Sequence, residues 1–401
     1  MERYSEYKDS GVKWLGEIPS HWEVKRLGSF FFERKEKVSD KDYAPLSVTK
    51  QGIFPQLENV AKTNDGDNRK LVKEGDFVIN SRSDRKGSSG VSGLDGSVSL
   101  INIVLQPRKV LFGPFCNYLL KSYGFIEENY RNGRGIVADL WTTRYDEMKM
   151  IKVAMPSFEE QKYISIYLDA ATSKIDKAIA MQQKMIDLLN ERKQIIIQNA
   201  VTKGLDENVE MKDSGVEWIG MIPKHWEIIK IKHLAKLQSG SNLTSNEISD
   251  TGSYPVYGGN GLRGFYGSYN CEGSYVLIGR QGALCGNINY AEDKFWATEH
   301  AVVCYPKKTY NTLWLGEVLR LMNLGQYSLA SAQPGLAVER IKGLYVPNPS
   351  IEEQNKIALF LKQNIGKIDL YARHCQRQIA LLQERKQIII NEVVTGKVKV
   401  S

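Results

Sequence analysis

The chain has 401 residues, which exceeds the size at which one hydrophobic core stops growing, so at least two domains are expected. Its apolar fraction of 42% and charged fraction of 25% are ordinary for a globular protein, and no apolar run reaches the roughly 18 residues that would cross a membrane. The formal charge of +8 favours a polyanionic partner such as nucleic acid, and the five cysteines lack zinc-site spacing, which fits reduced thiols in a cytoplasm.

The first element is a segment that occurs twice, at residues 7–23 and again at 211–227, with twelve of seventeen positions identical. Its glycines, proline and tryptophans predict a turn-rich hydrophobic clasp rather than a helix or a strand. We call the two copies the clasp segments. Each contains Pro-x-His-Trp-Glu, but His21 and His225 have no paired nucleophile nearby, so a structural role is favoured over a catalytic one.

Two middle stretches that differ from each other follow the clasp segments, at residues 24–155 and 228–348. Short apolar or alternating runs broken by Gly, Asn, Asp and Pro predict an irregular, mostly β domain in both. The clearest strands are predicted at residues 75–80, 98–105, 274–279 and 300–305, and short helices are expected around 115–123 and 313–322.

A long helix is predicted twice, at residues 156–204 and again from residue 349. A Ser-x-x-Glu capping box starts each copy, and apolar residues then recur at spacings of mostly three and four, which predicts a narrow seam as in a coiled coil. In the first copy the seam consists of Ile164, Leu168, Thr172, Ile175, Ile179, Gln182, Ile186, Leu189, Ile196 and Ala200. In the second copy it consists of Ile357, Leu361, Ile365, Ile368, Ala372, Cys375, Ile379, Leu382, Ile389 and Val393.

Each long helix needs a partner, because a lone helix would leave its apolar stripe in water. The other copy is the expected partner; the alternative is that both helices are packing struts of one large domain. We therefore expect an α+β fold in which two mixed, mostly β domains are separated by two long antiparallel helices in pseudo-twofold arrangement. The predicted division is residues 1–155, 156–204, 205–348 and 349–401.

The motifs of common catalytic sites are missing. There is no Walker A pattern, no HExxH, no GxSxG and no Asn-Pro-Pro-aromatic signature of amino methyltransferases. Residues 259–264 match GxGxxG, but the residues after them cannot form the helix that a phosphate-binding turn opens. Single carboxylates such as Asp84 and Glu299 lack a paired acid and are expected to be hydrogen-bond partners. The chain is predicted to bind rather than to catalyse.

One loop region in each middle stretch has the residue types that recognise nucleic acid. Residues 80–90 place three cations among Ser and Gly, and Arg can bind guanine edges while Lys and backbone amides hold phosphates. Residues 257–266 and 279–283 combine Asn and Gln, which recognise adenine, with Arg and aromatic groups. The alternative is a solvated basic loop. The candidate DNA-binding residues are Ser81, Arg82, Ser83, Arg85, Lys86, Arg131, Arg134, Tyr257, Asn260, Arg263, Arg280 and Gln281, and Arg144, Gln333, Arg340 and Lys342 are candidates for further phosphate contacts. No catalytic or metal-binding residue is predicted.

The chain resembles the specificity (S, HsdS) subunit of type I restriction-modification systems over essentially its whole length. The resemblance rests on the doubled IPxHWE of the clasp segments, the doubled Pro-x-x-Glu-Glu-Gln helix start and the doubled Glu-Arg-Lys-Gln. It also rests on residues 254–261, 277–283 and 295–301. The resemblance implies two target recognition domains, at residues 1–155 and 205–348, which recognise unlike halves of a split DNA sequence. The paired helices are then expected to set the spacer between the halves.

The resemblance also implies partners and cofactors. Double-stranded DNA is the expected ligand. Members of the family dock two modification (M) subunits, which carry S-adenosylmethionine and methylate adenine, and restriction (R) subunits, which use ATP and Mg²⁺ for translocation and cleavage. No cofactor on this chain and no membrane association are expected. Two alternatives stay open: a structural assembly scaffold whose basic loops recognise nothing, and a standalone methyltransferase or nuclease.

Overall fold

The computed structural model describes residues 2–56, 66–135, 141–282, 284–328 and 335–400. The chain divides into two compact units: unit 1 consists of Met1–Gln182 and Arg377–Ser401, and unit 2 consists of Gln183–Gln376. Each unit therefore contains part of both long helices. Over the described residues, no helix is both long enough and apolar enough to cross a bilayer.

Unit 1 is built mainly from short strands. They are β1 (Tyr7–Asp9), β2 (Glu17–Pro19), β3 (Glu23–Arg26), β4 (Phe31–Glu33), β5 (Lys37–Val38), β6 (Leu46–Val48), β7 (Ile53–Pro55), β8 (Arg69–Val72), β9 (Phe77–Asn80), β10 (Ser89–Val91), β11 (Gly96–Val98), β12 (Asn102–Pro107) and β13 (Lys152–Met155). The helices that begin in unit 1 are α1 (Gly113–Leu120), α2 (Tyr123–Arg131), α3 (Tyr145–Met148) and α4 (Phe158–Lys203).

The sheets of unit 1 are small. The largest has the strand order β10-β9-β12-β4, a second has the order β11-β8-β5, and β1-β2, β6-β7 and β13-β3 form pairs. Apolar side chains of the largest sheet, the clasp segment, α1, α2 and the start of α4 meet in one core. Trp22, Phe31, Phe77, Phe115 and Phe125 are among its fully buried members.

Unit 2 has the strands β14 (Met211–Asp213), β15 (Met221–Pro223), β16 (Glu227–Lys230), β17 (Ala235–Ser239), β18 (Tyr254–Gly258), β19 (Gly261–Tyr266), β20 (Cys271–Glu272), β21 (Tyr275–Gly279), β22 (Ile288–Ala291), β23 (Lys294–Ala297), β24 (Ala301–Pro306) and β25 (Tyr345–Asn348). Its helices are α5 (Ile231–Leu234), α6 (Thr312–Leu321), α7 (Val338–Lys342) and the long α8 (Ile351–Val394), which ends in unit 1. Two four-stranded sheets have the orders β17-β24-β21-β22 and β19-β18-β23-β20. The main core gathers around Trp226 and Trp314.

Two local predictions from the sequence are wrong. The run at residues 98–105 forms two strands, because the backbone N–H and the side-chain amide of Asn102 donate to Ser99 O at 3.0 and 3.1 Å and close a turn. Leu100 and Ile101 are exposed in that turn. The clasp segments, expected without strands, each contain a short antiparallel pair, β1-β2 and β14-β15. The expected α+β class, with mostly short strands and two long helices, is confirmed.

The long helices follow the predicted seam. α4 has 46 residues and α8 has 44, and each predicted seam position is buried or half-buried. In unit 2, Lys193 of α4 lies 2.8 Å from Asp369 of α8. Lys386 and Asp176, at the equivalent repeat positions, form the same pair at 2.7 Å in unit 1. A later residue of α4 thus pairs with an earlier residue of α8, so the predicted antiparallel pairing is confirmed.

Each clasp segment is fastened to the start of a long helix by a carboxylate. In unit 1, Glu160 accepts a hydrogen bond from Trp22 Nε1 at 3.0 Å and lies 3.1 Å from His21 Nε2. In unit 2, Glu353 accepts from Trp226 Nε1 at 2.9 Å and lies 2.8 Å from His225 Nε2. Both histidines thus have the structural role that the sequence favoured.

The glutamine that follows each of these glutamates is almost completely buried. Gln161 Oε1 accepts from Phe112 N at 2.8 Å, and Gln354 Oε1 accepts from Asn311 N at 2.9 Å. The side-chain amides donate back to the carbonyls of Pro156 and Pro349. A buried amide must have such partners, which explains why Pro-x-x-Glu-Glu-Gln occurs at both helix starts.

Candidate nucleic-acid interface

The candidate loop of unit 1 begins where β9 ends. Asn80 Oδ1 accepts a hydrogen bond from Arg82 N at 3.1 Å, and Ser83–Arg85 form one 3-10 turn. The loop is held by a neighbouring segment, because Ser83 N donates to Trp141 O at 2.9 Å and Thr143 N donates to Ser81 O at 3.0 Å. The basic loop therefore has a defined backbone position at the end of the largest sheet.

Four of the predicted residues of unit 1 line one shallow cavity: Ser81, Arg82, Ser83 and Lys86. The sequence missed two aromatic residues of the same cavity, Tyr130 and Trp141, whose ring centroids lie 5.7 Å apart. Lys86 Nζ lies 4.3 Å above the Tyr130 ring and 2.7 Å from Glu127 Oε1. The buried Oδ1 of Asn129, another lining residue, has no hydrogen-bond partner among the residues that the structure describes. The cavity thus combines a cation with aromatic faces.

The other three arginines predicted to bind DNA in unit 1 lie outside this cavity. Arg134 pairs through its backbone with Thr142, beside the loop, and its side chain is 81% exposed. Arg85 is exposed next to Asp84, and Arg131 forms an exposed ion pair with Glu128 within α2. These three side chains do not line the cavity among the residues that the structure describes.

The candidate loops of unit 2 meet at two glycines. The first loop is the turn of the β18–β19 hairpin at residues 259–260, and the second follows β21. A Cβ placed on Gly279 would lie 2.1 Å from Gly259 O, which is closer than any real contact. The two backbones therefore touch at a point where only glycine fits. The GxGxxG match lies in this hairpin, and β19, not a helix, follows its turn, as predicted.

All five predicted residues of unit 2 lie on these loops or on the flanking strands. Asn260 Oδ1 accepts from Asn287 Nδ2 at 3.2 Å, and Arg280 donates to Ser239 Oγ at 3.3 Å. Gln281 and Asn260 are exposed. The remaining two are Tyr257, which packs edge-on against Phe295, and Arg263, whose side chain lies against Gly258 and donates to Ser245 Oγ. Burial, and then the charge of Glu292, raise the pKa of Tyr257, so its hydroxyl stays protonated as a possible donor.

A glutamate and a histidine that sequence reasoning did not place in a site lie beside the second loop. Arg280 N donates to His300 O at 2.8 Å, and Glu299 Oε1 lies 3.1 Å from His300 Nε2. The contact pairs Glu299 with His300 through one oxygen, and its expected role as a hydrogen-bond partner stays a prediction. Glu299 Oε2 and His300 Nδ1 are buried and have no hydrogen-bond partner within the described ranges. The sequence signal was the adjacent Thr298-Glu299-His300 directly before a predicted strand.

The residues proposed for further phosphate contacts do not form one cluster. Arg144 precedes α3 and is exposed, and Arg340 and Lys342 lie in α7, where Lys342 pairs with Glu339 at 2.5 Å. Gln333 lies outside the described residues. Over the described ranges, no group of three or more His, Cys, Asp or Glu side chains has the arrangement of a metal site.

The known proteins that this chain resembles are type I restriction specificity proteins. A family model for the type I restriction modification DNA specificity domain matches residues 223–379. The chain is 42% identical over 132 residues to the EcoprrI type I restriction enzyme specificity subunit of Escherichia coli, a match that covers 32% of this chain and only 33% of that protein. It is 24% identical to a putative type I restriction enzyme specificity subunit, MjaX, of Methanocaldococcus jannaschii, over 98% of both chains.

The fold has a match among solved structures as well. A chain from a structural study of assembly and conformational transition in a type I R-M system has a TM-score of 0.74 at 15% identity, over 95% of this chain and 99% of that one. The curated relatives are named specificity subunits, which agrees with the prediction that this chain is not a catalyst. The resemblance inferred from the sequence is confirmed, and residues 223–379 are similar to the type I restriction modification DNA specificity domain.

Proposed function

We propose that the chain is the non-catalytic DNA-recognition subunit of a type I restriction-modification complex. Unit 1 recognises one half-site of a bipartite, asymmetric target in double-stranded DNA, and unit 2 recognises the other. The paired helices α4 and α8 set the spacer between the half-sites. Adenine methylation and DNA cleavage are then directed to the target but performed by partner subunits in the cytoplasm.

This proposal rests on a contrast within the chain. The clasp segments and long helices are duplicated, whereas the candidate DNA-binding loops of the two units differ. The clasp segments, the helix starts and the seam occur in both units with the same contacts. The clusters differ: an arginine, a lysine and two aromatic rings line the cavity in unit 1, whereas Asn, Gln, Arg and a Glu–His pair gather in unit 2. Side chains of these kinds bind base edges with different preferences, so two clusters suit two unlike half-sites.

The partners are proposed on chemical grounds too. The motifs for cofactor binding are missing, so S-adenosylmethionine is assigned to M subunits, and ATP with Mg²⁺ to R subunits. Apolar residues at equivalent positions of the helices are exposed in each unit. They are Ile166, Leu381 and Ile388 in unit 1, and Leu359, Leu188 and Ile195 in unit 2. We assign this repeated set to the docking of two identical M subunits, because exposed apolar side chains in such number mark protein contacts.

The test is DNA selection by the complex of this chain with its M subunits. Arg82→Ala should relax recognition in one half-site only, and Arg263→Ala should relax it in the other, each by about 1–3 kcal/mol against the wrong base. Arg26→Ala is the matched control, because that arginine is exposed on β3 and is not among the candidate residues. Equal binding of the wild-type complex to all sequences would favour the scaffold alternative. Methyl transfer to DNA by the isolated chain would instead favour a standalone methyltransferase.

A further inference from the structure

The two clasp segments have different surroundings although their contacts to the long helices match. In unit 1 the Tyr4 hydroxyl donates to Glu160 Oε1 at 2.6 Å. The Tyr4 ring lies 5.5 Å from the His21 ring and 6.2 Å from the Trp22 ring, between centroids. Tyr4 therefore contacts all three members of the His-Trp-Glu arrangement.

The end of the chain completes this region of unit 1. Lys399 N donates to Glu2 O at 2.9 Å, and Lys397 Nζ donates to Leu15 O at 2.8 Å. Val398 and Val400 are buried. The N-terminal residues and the C-terminal residues together thus cover the first clasp segment.

Unit 2 offers the same His-Trp-Glu arrangement without the tyrosine. His225, Trp226 and Glu353 line an open cavity of about 310 Å³, a size at the lower end for ligand pockets. Lys203 and Lys356 also line it. The Glu353 side chain is 30% exposed, whereas that of Glu160 is 16% exposed.

The sequence explains the difference. The residue of the second repeat that is equivalent to Tyr4 is Asn208, and it is exposed, with its backbone N–H bonded to Asp206 Oδ1 at 2.9 Å. Leu205, in the segment that joins α4 to the second clasp segment, is 42% exposed. The segment that runs past the cavity therefore provides no aromatic side chain to fill it.

We propose that the cavity of unit 2 is a docking site for a tyrosine side chain that a partner protein presents. Its ring would lie against His225 and Trp226, and its hydroxyl would donate to the Glu353 carboxylate, as Tyr4 does in unit 1. Glu353 Oε2 accepts one hydrogen bond, from Ser350 N, and so retains capacity for another. The lysines at the rim favour acidic residues beside the tyrosine. A partner is the source because the chain's own Tyr4 is already bound in unit 1.

The experiment uses a fluorescent peptide with the sequence of residues 2–7, which presents Tyr4 in its natural context, and the full-length chain. Fluorescence anisotropy should show saturable binding of one peptide per chain. A peptide with Phe in place of Tyr4 should bind roughly tenfold more weakly or worse, because it lacks the hydrogen bond to a charged group. No saturable binding, or equal binding of both peptides, would overturn the proposal.

A variant of the chain locates the site. Asn208→Tyr should fill the cavity from within and abolish peptide binding, whereas Asn208→Ala, the matched control, should leave it unchanged. Position 208 is exposed, so neither change disturbs the core. Peptide binding that survives Asn208→Tyr would contradict the assignment to this cavity. Self-association of the chain that Tyr4→Phe removes would overturn the choice of a different partner protein, because a second copy would then supply the tyrosine.

Discussion

Trp226 donates its indole N–H to the carboxylate of Glu353 over 2.9 Å, which fastens the second clasp segment to the first turn of α8. Glu353 also accepts from Ser350 N at 3.0 Å, so the predicted capping box forms and serves a second purpose. Desolvation raises the pKa of Glu353, but hydrogen bonds from Trp226, His225 and Ser350 outweigh it and lower the pKa to about 2. The Glu353 carboxylate thus caps the start of α8 and also holds the second clasp segment against that helix.

The first prediction is that Glu353 stabilises the fold in a pH-dependent way. Its folded pKa is depressed from 4.5, so its contribution is complete above about pH 4.5 and is lost as the pH falls towards 2. Glu353→Gln should lower the free energy of unfolding by about 1–2 kcal/mol at pH 7 and by progressively less below pH 4. Urea unfolding followed by circular dichroism measures this, and Glu352→Gln, exposed in the same turn, is the control. A difference that persists unchanged at pH 2.5 would contradict the prediction.

The second prediction concerns the glycines that bring the loops of unit 2 together. Gly279→Ala would place a Cβ 2.1 Å from Gly259 O, a backbone atom that cannot move alone. The loops must separate, so unit 2 should lose about 1–3 kcal/mol of stability, and the complex should lose recognition of one half-site. Gly267→Ala is the control, because no atom lies within 4 Å of its Cβ position. Thermal unfolding measures the loss of stability, and DNA selection by the complex with M subunits measures the loss of recognition. If Gly279→Ala recognises both half-sites as the wild type does, the loops of unit 2 are not the DNA interface.

The sequence was sufficient for the features that depend on periodicity and repetition. The seam of α4 and α8 and their antiparallel pairing, which the Lys193–Asp369 contact shows, follow from apolar spacing and from the duplication. It was insufficient where distant segments meet. Nothing near Trp141 in the chain indicates that its carbonyl accepts from Ser83, and no local pattern joins Glu353 to Trp226. Such contacts depend on tertiary packing, which a single sequence does not encode in its spacing.

The third prediction is that Glu299 contributes to base recognition in unit 2. Its side chain is 35% exposed beside the second loop, and a carboxylate oxygen in a DNA interface can accept from the exocyclic amine of cytosine. Glu299→Gln replaces this acceptor partly by a donor, so the preference at one base pair should change by about 1–3 kcal/mol while the other half-site is unaffected. Selection from randomised duplexes at fixed salt concentration measures it. Glu217→Gln, an exposed change in the second clasp segment, should leave every position as in the wild type.

The last prediction tests the spacer. Duplicating residues 182–188 in α4 and the equivalent residues 375–381 in α8 adds one heptad to each helix, which keeps the seam and the Lys193–Asp369 and Lys386–Asp176 pairs in register. Seven residues add about 10 Å, and 3.4 Å per base pair makes the permitted spacer about three base pairs longer with both half-sites unchanged. Mapping of methylated adenines in DNA treated with the M complex measures the spacer. The heptad in α4 alone is the control: it moves Lys193 away from Asp369, so that variant should unfold at a lower temperature. Changed half-site bases with an unchanged spacer would show that the helices do not set the distance.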